Sequence, residues 1–177
     1  MSANSHSEES NTQGSRSMSM LELRTLAESI RKDHHELAKL RYDFARIQIE
    51  YHNAPNQSNW DNFRRELDKL ARHLLLHFSE EEARDGFLEV VKSILPDRQT
   101  EVAALRQEHI EMRELIGGLS SQVGSPPPVD LREFNELAPK IKQLFSLLSE
   151  HDSVENRLIY GVLEQMKQDR RSQTPKH

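Results

Sequence analysis

Apolar residues in this 177-residue chain recur at helical spacing, and runs that alternate polar with β-branched residues are absent. That pattern predicts an all-α fold. A first amphipathic helix is predicted from about Met20 to His52, its stripe carried by Leu23, Leu26, Ala27, Ile30, Leu37, Phe44 and Ala45. Asn53-Ala54-Pro55-Asn56-Gln57 reads as a loop, and Ser58 followed by Asp61 has the form of a helix-start cap. A second helix runs through Trp60, Phe63, Leu67, Leu70 and Leu74 to Leu88 and Val91, with a bend at Asp85-Gly86 and Pro96 beyond its end. A third, shorter helix opens near Thr100 with Leu105, Met112, Ile116 and Leu119 on one face, and Gly117-Gly118 weakens its end. Residues 120–130 (SSQVGSPPPVD) form a stiff connection. The fourth helix carries Ile141, Leu144, Leu148, Leu158 and Val162 to about Met166. Pro139 inside that pattern either kinks the helix or marks the start of its main part.

Polar residues interrupt these apolar rows, and they do so in step. His77 and Glu81 stand four apart in the second row, and His151 and Glu155 repeat the spacing in the fourth. Residues i and i+4 lie one above the other on a helix face, so each pair points the way its row points, inward. Stepping round the first helix from Ile30 places His34 roughly 40° off the stripe centre and His35 roughly 140° off. His34 therefore faces in and His35 out. His109 lies in the third row. At about 1.5 Å per residue, counting the fourth helix from Pro139 brings all four histidines to similar heights in an antiparallel up-down-up-down four-helix bundle.

Composition narrows the chemistry. The chain has no cysteine, which removes disulfides, thiolate ligands and cysteine nucleophiles, so any metal must be held by nitrogen and oxygen. A net charge of −5 with interspersed signs is an ordinary surface, unlike a nucleic-acid footprint. Neither a bilayer-spanning stretch nor a signal peptide is present, which makes a cytoplasmic protein the default. Residues 1–20 read as a disordered tail containing His6, residues 21–168 as one domain, and residues 169–177 as a flexible tail.

A carboxylate in an apolar row is costly unless something pairs with it. His34, His77, Glu81, His109, His151 and Glu155 together exceed the needs of one tetrahedral zinc. They suit two metals, each with two histidines and both bridged by the two glutamates, and iron, manganese and zinc accept such ligands. A metal-free buried network would leave two anionic glutamates poorly compensated. His73, one turn before His77, is an extra ligand or, on the plainer reading, a residue near the site. Glu80 and Glu82 rotate away from Glu81 by about 100° each and read as solvated. Asp33, Glu108 and Asp152 adjoin ligand histidines and are placed to orient imidazoles.

The segments Asp33-His34-His35-Glu36-Leu37, His77-Phe78-Ser79-Glu80-Glu81, Glu108-His109-Ile110-Glu111 and Glu150-His151-Asp152-Ser153-Val154-Glu155-Asn156 resemble the four signatures of the hemerythrin-like, or HHE cation-binding, family of non-haem di-iron proteins. Oxygen-carrying members have two histidines four apart on the third helix and an aspartate five after the histidine of the fourth. Here Arg113 and Glu155 stand instead, so the pattern is closer to a branch with four His and two Glu that includes proteins of iron-sulfur repair. The resemblance implies two iron ions, oxo- or hydroxo-bridged, that bind oxygen, nitric oxide or peroxide in sensing, storage or stress response. A di-iron enzyme and a metal-free interaction or phosphotransfer module using His35 or His73 are the competing classes. No protein partner is legible.

Overall fold

The computed structural model describes residues 19–124 and 131–173. The predicted N-terminal tail up to residue 18, the proline-bearing stretch 125–130 and residues 174–177 lie outside them. The described residues are helical, in the order α1 (Met20–Asn53), α2 (Gln57–Glu81), α3 (Phe87–Ile94), a 3-10 turn at Pro96–Arg98, α4 (Gln99–Gln122), α5 (Leu131–Asn135) and α6 (Ala138–Gln173). The long helices close a ring in which α1 packs on α2, α2 on α4, α4 on α6 and α6 on α1. No helix among the described residues is long and apolar enough to cross a membrane.

Local chemistry explains most boundaries. Ser19 caps α1 through a reciprocal pair in which the Glu22 N–H donates to the Ser19 hydroxyl and the Ser19 N–H to the Glu22 carboxylate. The expected Ser58/Asp61 cap of the second helix is not used. Asn56, two residues earlier, accepts from the Asn59 N–H at 3.0 Å, because an Asn in extended backbone suits the cap position better than a serine already inside the helix. Pro139 lies in the first turn of α6, where its missing N–H costs nothing. It marks a start, and α5 is a separate short turn before it. Gly117-Gly118 does not end α4, which runs on to Gln122. At the other end, α6 continues to Gln173, into the stretch read as a tail.

The predicted long second helix is the main departure. It stops at Glu81, turns through residues 82–86, and restarts as α3. The Gly86 N–H donates to the Ala83 carbonyl, folding the chain back over the end of α2. A Cβ at Gly86 would meet the carbonyl oxygens of Glu80 at 2.4 Å and Glu81 at 2.5 Å. Only glycine fits that approach.

Apolar packing falls into two clusters. One holds Leu37, Phe44, Leu74, Phe78, Met112 and Leu148 and ends in the aromatic group of Tyr51, Trp60, Phe63 and Phe134. The other holds Ile30, Phe87, Leu88, Leu105 and Leu158. Within the aromatic group Trp60 stacks on Phe63 with ring centres 5.5 Å apart. Each of α1, α4 and α6 therefore passes from one cluster to the other, and α2 with α3 does so across the turn.

Gly86→Ala is expected to destabilise the fold by about 1–3 kcal/mol, the usual range for forced overpacking. Gly117→Ala, whose Cβ would meet nothing within 4 Å in mid-helix, should stabilise it by about 0.5–1 kcal/mol. Urea denaturation followed by circular dichroism reads both.

Candidate metal centre

Between the two apolar clusters lies a polar layer. His77, Glu81, His109, His151 and Glu155 are buried there, with His109, His151 and Glu155 wholly inaccessible. His34 joins them with its side chain about a tenth exposed, while His35 is on the surface. All six predicted residues meet. Ligand atoms of His34, His77, Glu81 and Glu155 lie within 4.8 Å of one another, as do those of Glu81, His109, His151 and Glu155.

The two glutamates divide their oxygens between these groups. Glu81 Oε1 is 3.7 Å from His77 Nε2, while its Oε2 is 3.3 Å from His109 Nε2 and 3.8 Å from His151 Nε2. Glu155 Oε2 is 2.8 Å from His34 Nε2 and 3.9 Å from His77 Nε2, and its Oε1 is 3.3 Å from His151 Nε2. Donors held roughly 2.1 Å from a common ion sit about 3 Å from one another, the range seen here.

A metal-free interior leaves this arrangement unsatisfied. His77 Nε2, both Glu81 oxygens and Glu155 Oε1 are buried without a hydrogen-bond partner. His109 Nε2 and His151 Nε2 face each other at 3.1 Å, where only one can donate. Buried carboxylate oxygens without donors are costly, and cations would relieve all of these atoms together. The residues present fit a metal pair.

A second layer aims the imidazoles. His77 Nδ1 is 2.6 Å from Asp33 Oδ2, His109 Nδ1 is 2.7 Å from Glu82 Oε1, and His151 Nδ1 is 2.9 Å from Glu108 Oε2. A carboxylate on Nδ1 fixes the tautomer and turns Nε2 toward the centre. Asp33 and Glu108 thus orient histidines of neighbouring helices, not the ones beside them in sequence. Asp33 also holds His73, 2.8 Å from Oδ1, and His73 is in neither ligand group.

Glu82 is not the solvated residue the sequence predicted. Glu82 caps α2 in helical backbone with its N–H on the Phe78 carbonyl, so it does stand one helical step round from Glu81, but that direction faces α4 and not solvent, and there it receives His109 and both Nη atoms of Arg113, at 3.1 and 2.9 Å. Arg113 also lies over the Phe78 ring, 5.3 Å from its centre, and Phe78 stacks on His109 with centres 4.3 Å apart. In the sequence, the signal of the Glu82 contact was an Arg one turn after an inward His.

The charges follow from burial and partners. Burial alone would lower the pKa of His77, but the Asp33 contact and the Glu81 and Glu155 charges raise it. His151, against the same burial penalty, is pushed up to about 12 by Glu108, Glu155 and Glu81. His34 is raised despite burial by Glu155 and then Asp152. Burial would raise Glu155, yet His151 and His34 hold it well below the ordinary carboxylate range. Asp152 moves up, through burial and the Glu155 charge.

Packed helices enclosing a His/Glu cluster that could hold metal define a cation-binding helical domain. The sequence matches the hemerythrin HHE cation-binding domain family over residues 22–163, and the chain belongs to that family. No curated protein and no solved structure matches it.

Asp33→Asn and Glu108→Gln should each weaken metal binding about 10–100-fold while leaving helix content unchanged. Competition titration with a chromophoric chelator measures the loss, and undiminished affinity in both would remove the orienting role.

Proposed function

We propose that the chain is a non-haem di-iron protein that reversibly binds a small ligand, oxygen, nitric oxide or peroxide, in sensing, storage or stress response. The observation that carries this reading is the division of Glu81 and Glu155, each with one oxygen toward each group of histidines. In this reading His34 and His77 would hold one ion and His109 and His151 the other, with Glu81 and Glu155 shared between the two groups. The connection of α1 to α2 by residues 54–56 alone supports an antiparallel run of the helices.

When bound, the irons supply open coordination positions and the electrons for ligand attachment. The protein's part is to position and to exclude. Leu74, Phe78, Leu105, Met112 and Leu148, all fully buried, wall the layer above and below and keep water out. Asp33, Glu82 and Glu108 hold the protons of Nδ1, leaving Nε2 of His77, His109 and His151 as the donor atoms. Iron is favoured over manganese or zinc by the family resemblance, since the donor set accepts all three.

Elemental analysis of the purified chain should give about two irons per chain, with visible bands that bleach on anaerobic reduction and return in air. His77→Ala and Glu155→Ala should each lose most of the metal. Full retention in both variants would overturn the two-metal assignment.

Loading should also release protons. The His151 pKa, pushed up to about 12, keeps that ring protonated at neutral pH in the metal-free chain, and those of His34 and His77 are shifted the same way, whereas a metal requires neutral imidazole. Affinity therefore falls as pH falls. A dye-based assay in weak buffer should show acidification on adding Fe2+ anaerobically.

A further inference from the structure

We propose that the cavity between α1 and the turn after α2 is the route by which a divalent cation reaches the centre, with Glu80 receiving it at the mouth and Asp33 passing it inward. This rests on the metal-binding reading above. The cavity, of about 50 Å³, is lined at its outer end by Ser29 and Glu80, which are exposed, and at its inner end by His77 and Glu81, which are buried. A space of that size exceeds what one water needs. It admits a cation carrying part of its hydration shell.

Three carboxylates stand at successive depths along it: Glu80 exposed, Asp33 partly buried and Glu81 buried. A divalent ion shedding water needs a hard oxygen ligand at each stage, because an uncompensated charge in the interior is expensive. Asp33 is placed for the middle stage, since it lines the cavity and its Oδ2 already reaches His77 Nδ1 at 2.6 Å. At the inner end the free atoms are His77 Nε2 and both Glu81 oxygens, on side chains only 3–4 % exposed and without hydrogen-bond partners.

The α4 side of the centre is covered. His109 lies under Phe78, with Glu82 and Arg113 outside it. Cavities found beside Ile159, Arg157 and Lys140 touch none of the six ligand residues. An ion entering by this cavity meets His77 and Glu81 before it reaches His109 and His151.

The test is anaerobic Fe2+ uptake by the metal-free full chain, followed by stopped flow, with final iron content measured separately. Ser29→Trp, which covers the mouth, and Ser29→Arg, which leaves it open but adds a cation, should each slow uptake about tenfold without changing the final content. Glu80→Gln should slow it less and flatten its dependence on ionic strength. Ile110→Trp, on an exposed face of α4, should load like the parent chain. Parent-like rates in both Ser29 variants would overturn the route and leave the metal centre standing. A parent chain that takes up no iron at all would overturn both.

Discussion

Two carboxylates buried in the middle of a helical ring are the constraint to which the rest of this structure answers. Glu81 and Glu155 cannot be left among leucines without compensation, so every long helix brings an imidazole to their level. The apolar core is consequently split in two. On α1 the sequence passes from Ile30 through His34 to Leu37, on α4 from Leu105 through His109 to Met112, and on α6 from Leu148 through His151 and Glu155 to Leu158. Each apolar half secures helix positions on its side of the polar layer. Close packing above and below keeps donor atoms a few ångströms apart with no loop between them.

The layer is supported from outside by acids that cross between helices. Asp33 on α1 reaches His77 on α2, Glu82 beyond α2 reaches His109 on α4, and Glu108 on α4 reaches His151 on α6. A side chain can meet the face of the next helix, whereas its sequence neighbour on the same helix points elsewhere. This weaving couples ring packing to ligand orientation, since moving one helix would disturb the imidazole carried by its neighbour. It also shapes the charge of the metal-free state, in which anionic partners raise the pKa of His77 and push that of His151 up to about 12 against their burial.

Much of this was legible in the chain. Periodicity alone predicted the helices and the inward positions, because four rows interrupted at one height by His, and in two of them by Glu at i+4, converge on a single polar layer. Pro139 as a starting point followed from the same height argument. The turn after Glu81 was not legible. Leu88 and Val91 continue the apolar row of α2 in register, so nothing in the hydrophobic pattern distinguishes one long helix from two, and the need for Gly86 appears only where a Cβ would meet the carbonyls of Glu80 and Glu81. The role of Glu82 was missed for another reason: it does rotate away from Glu81 as a helical residue, but the sequence does not say that α4, with His109 and Arg113, lies on that side. The cap at Asn56 was missed for a smaller reason: helix starts are specified only to within a residue or two when several cap-forming residues adjoin.

Arg113 shows how the surroundings define the donor set. It stands one turn after His109, where the oxygen carriers of the family place another histidine. An imidazole there would add a nitrogen donor beside His109 and His151 and make the two groups unequal. The arginine instead turns outward to grip Glu82 with both Nη atoms and cover Phe78. Burial would raise the pKa of the Glu82 carboxyl, but Arg113, together with His109, holds it down and anionic. Through Glu82 the arginine also steadies the His109 ring. What remains at the centre is balanced: two histidines on each side and two glutamates shared between them. The position thus contributes orientation and closure in place of a ligand, and the equality of the two halves follows from that single side chain facing out.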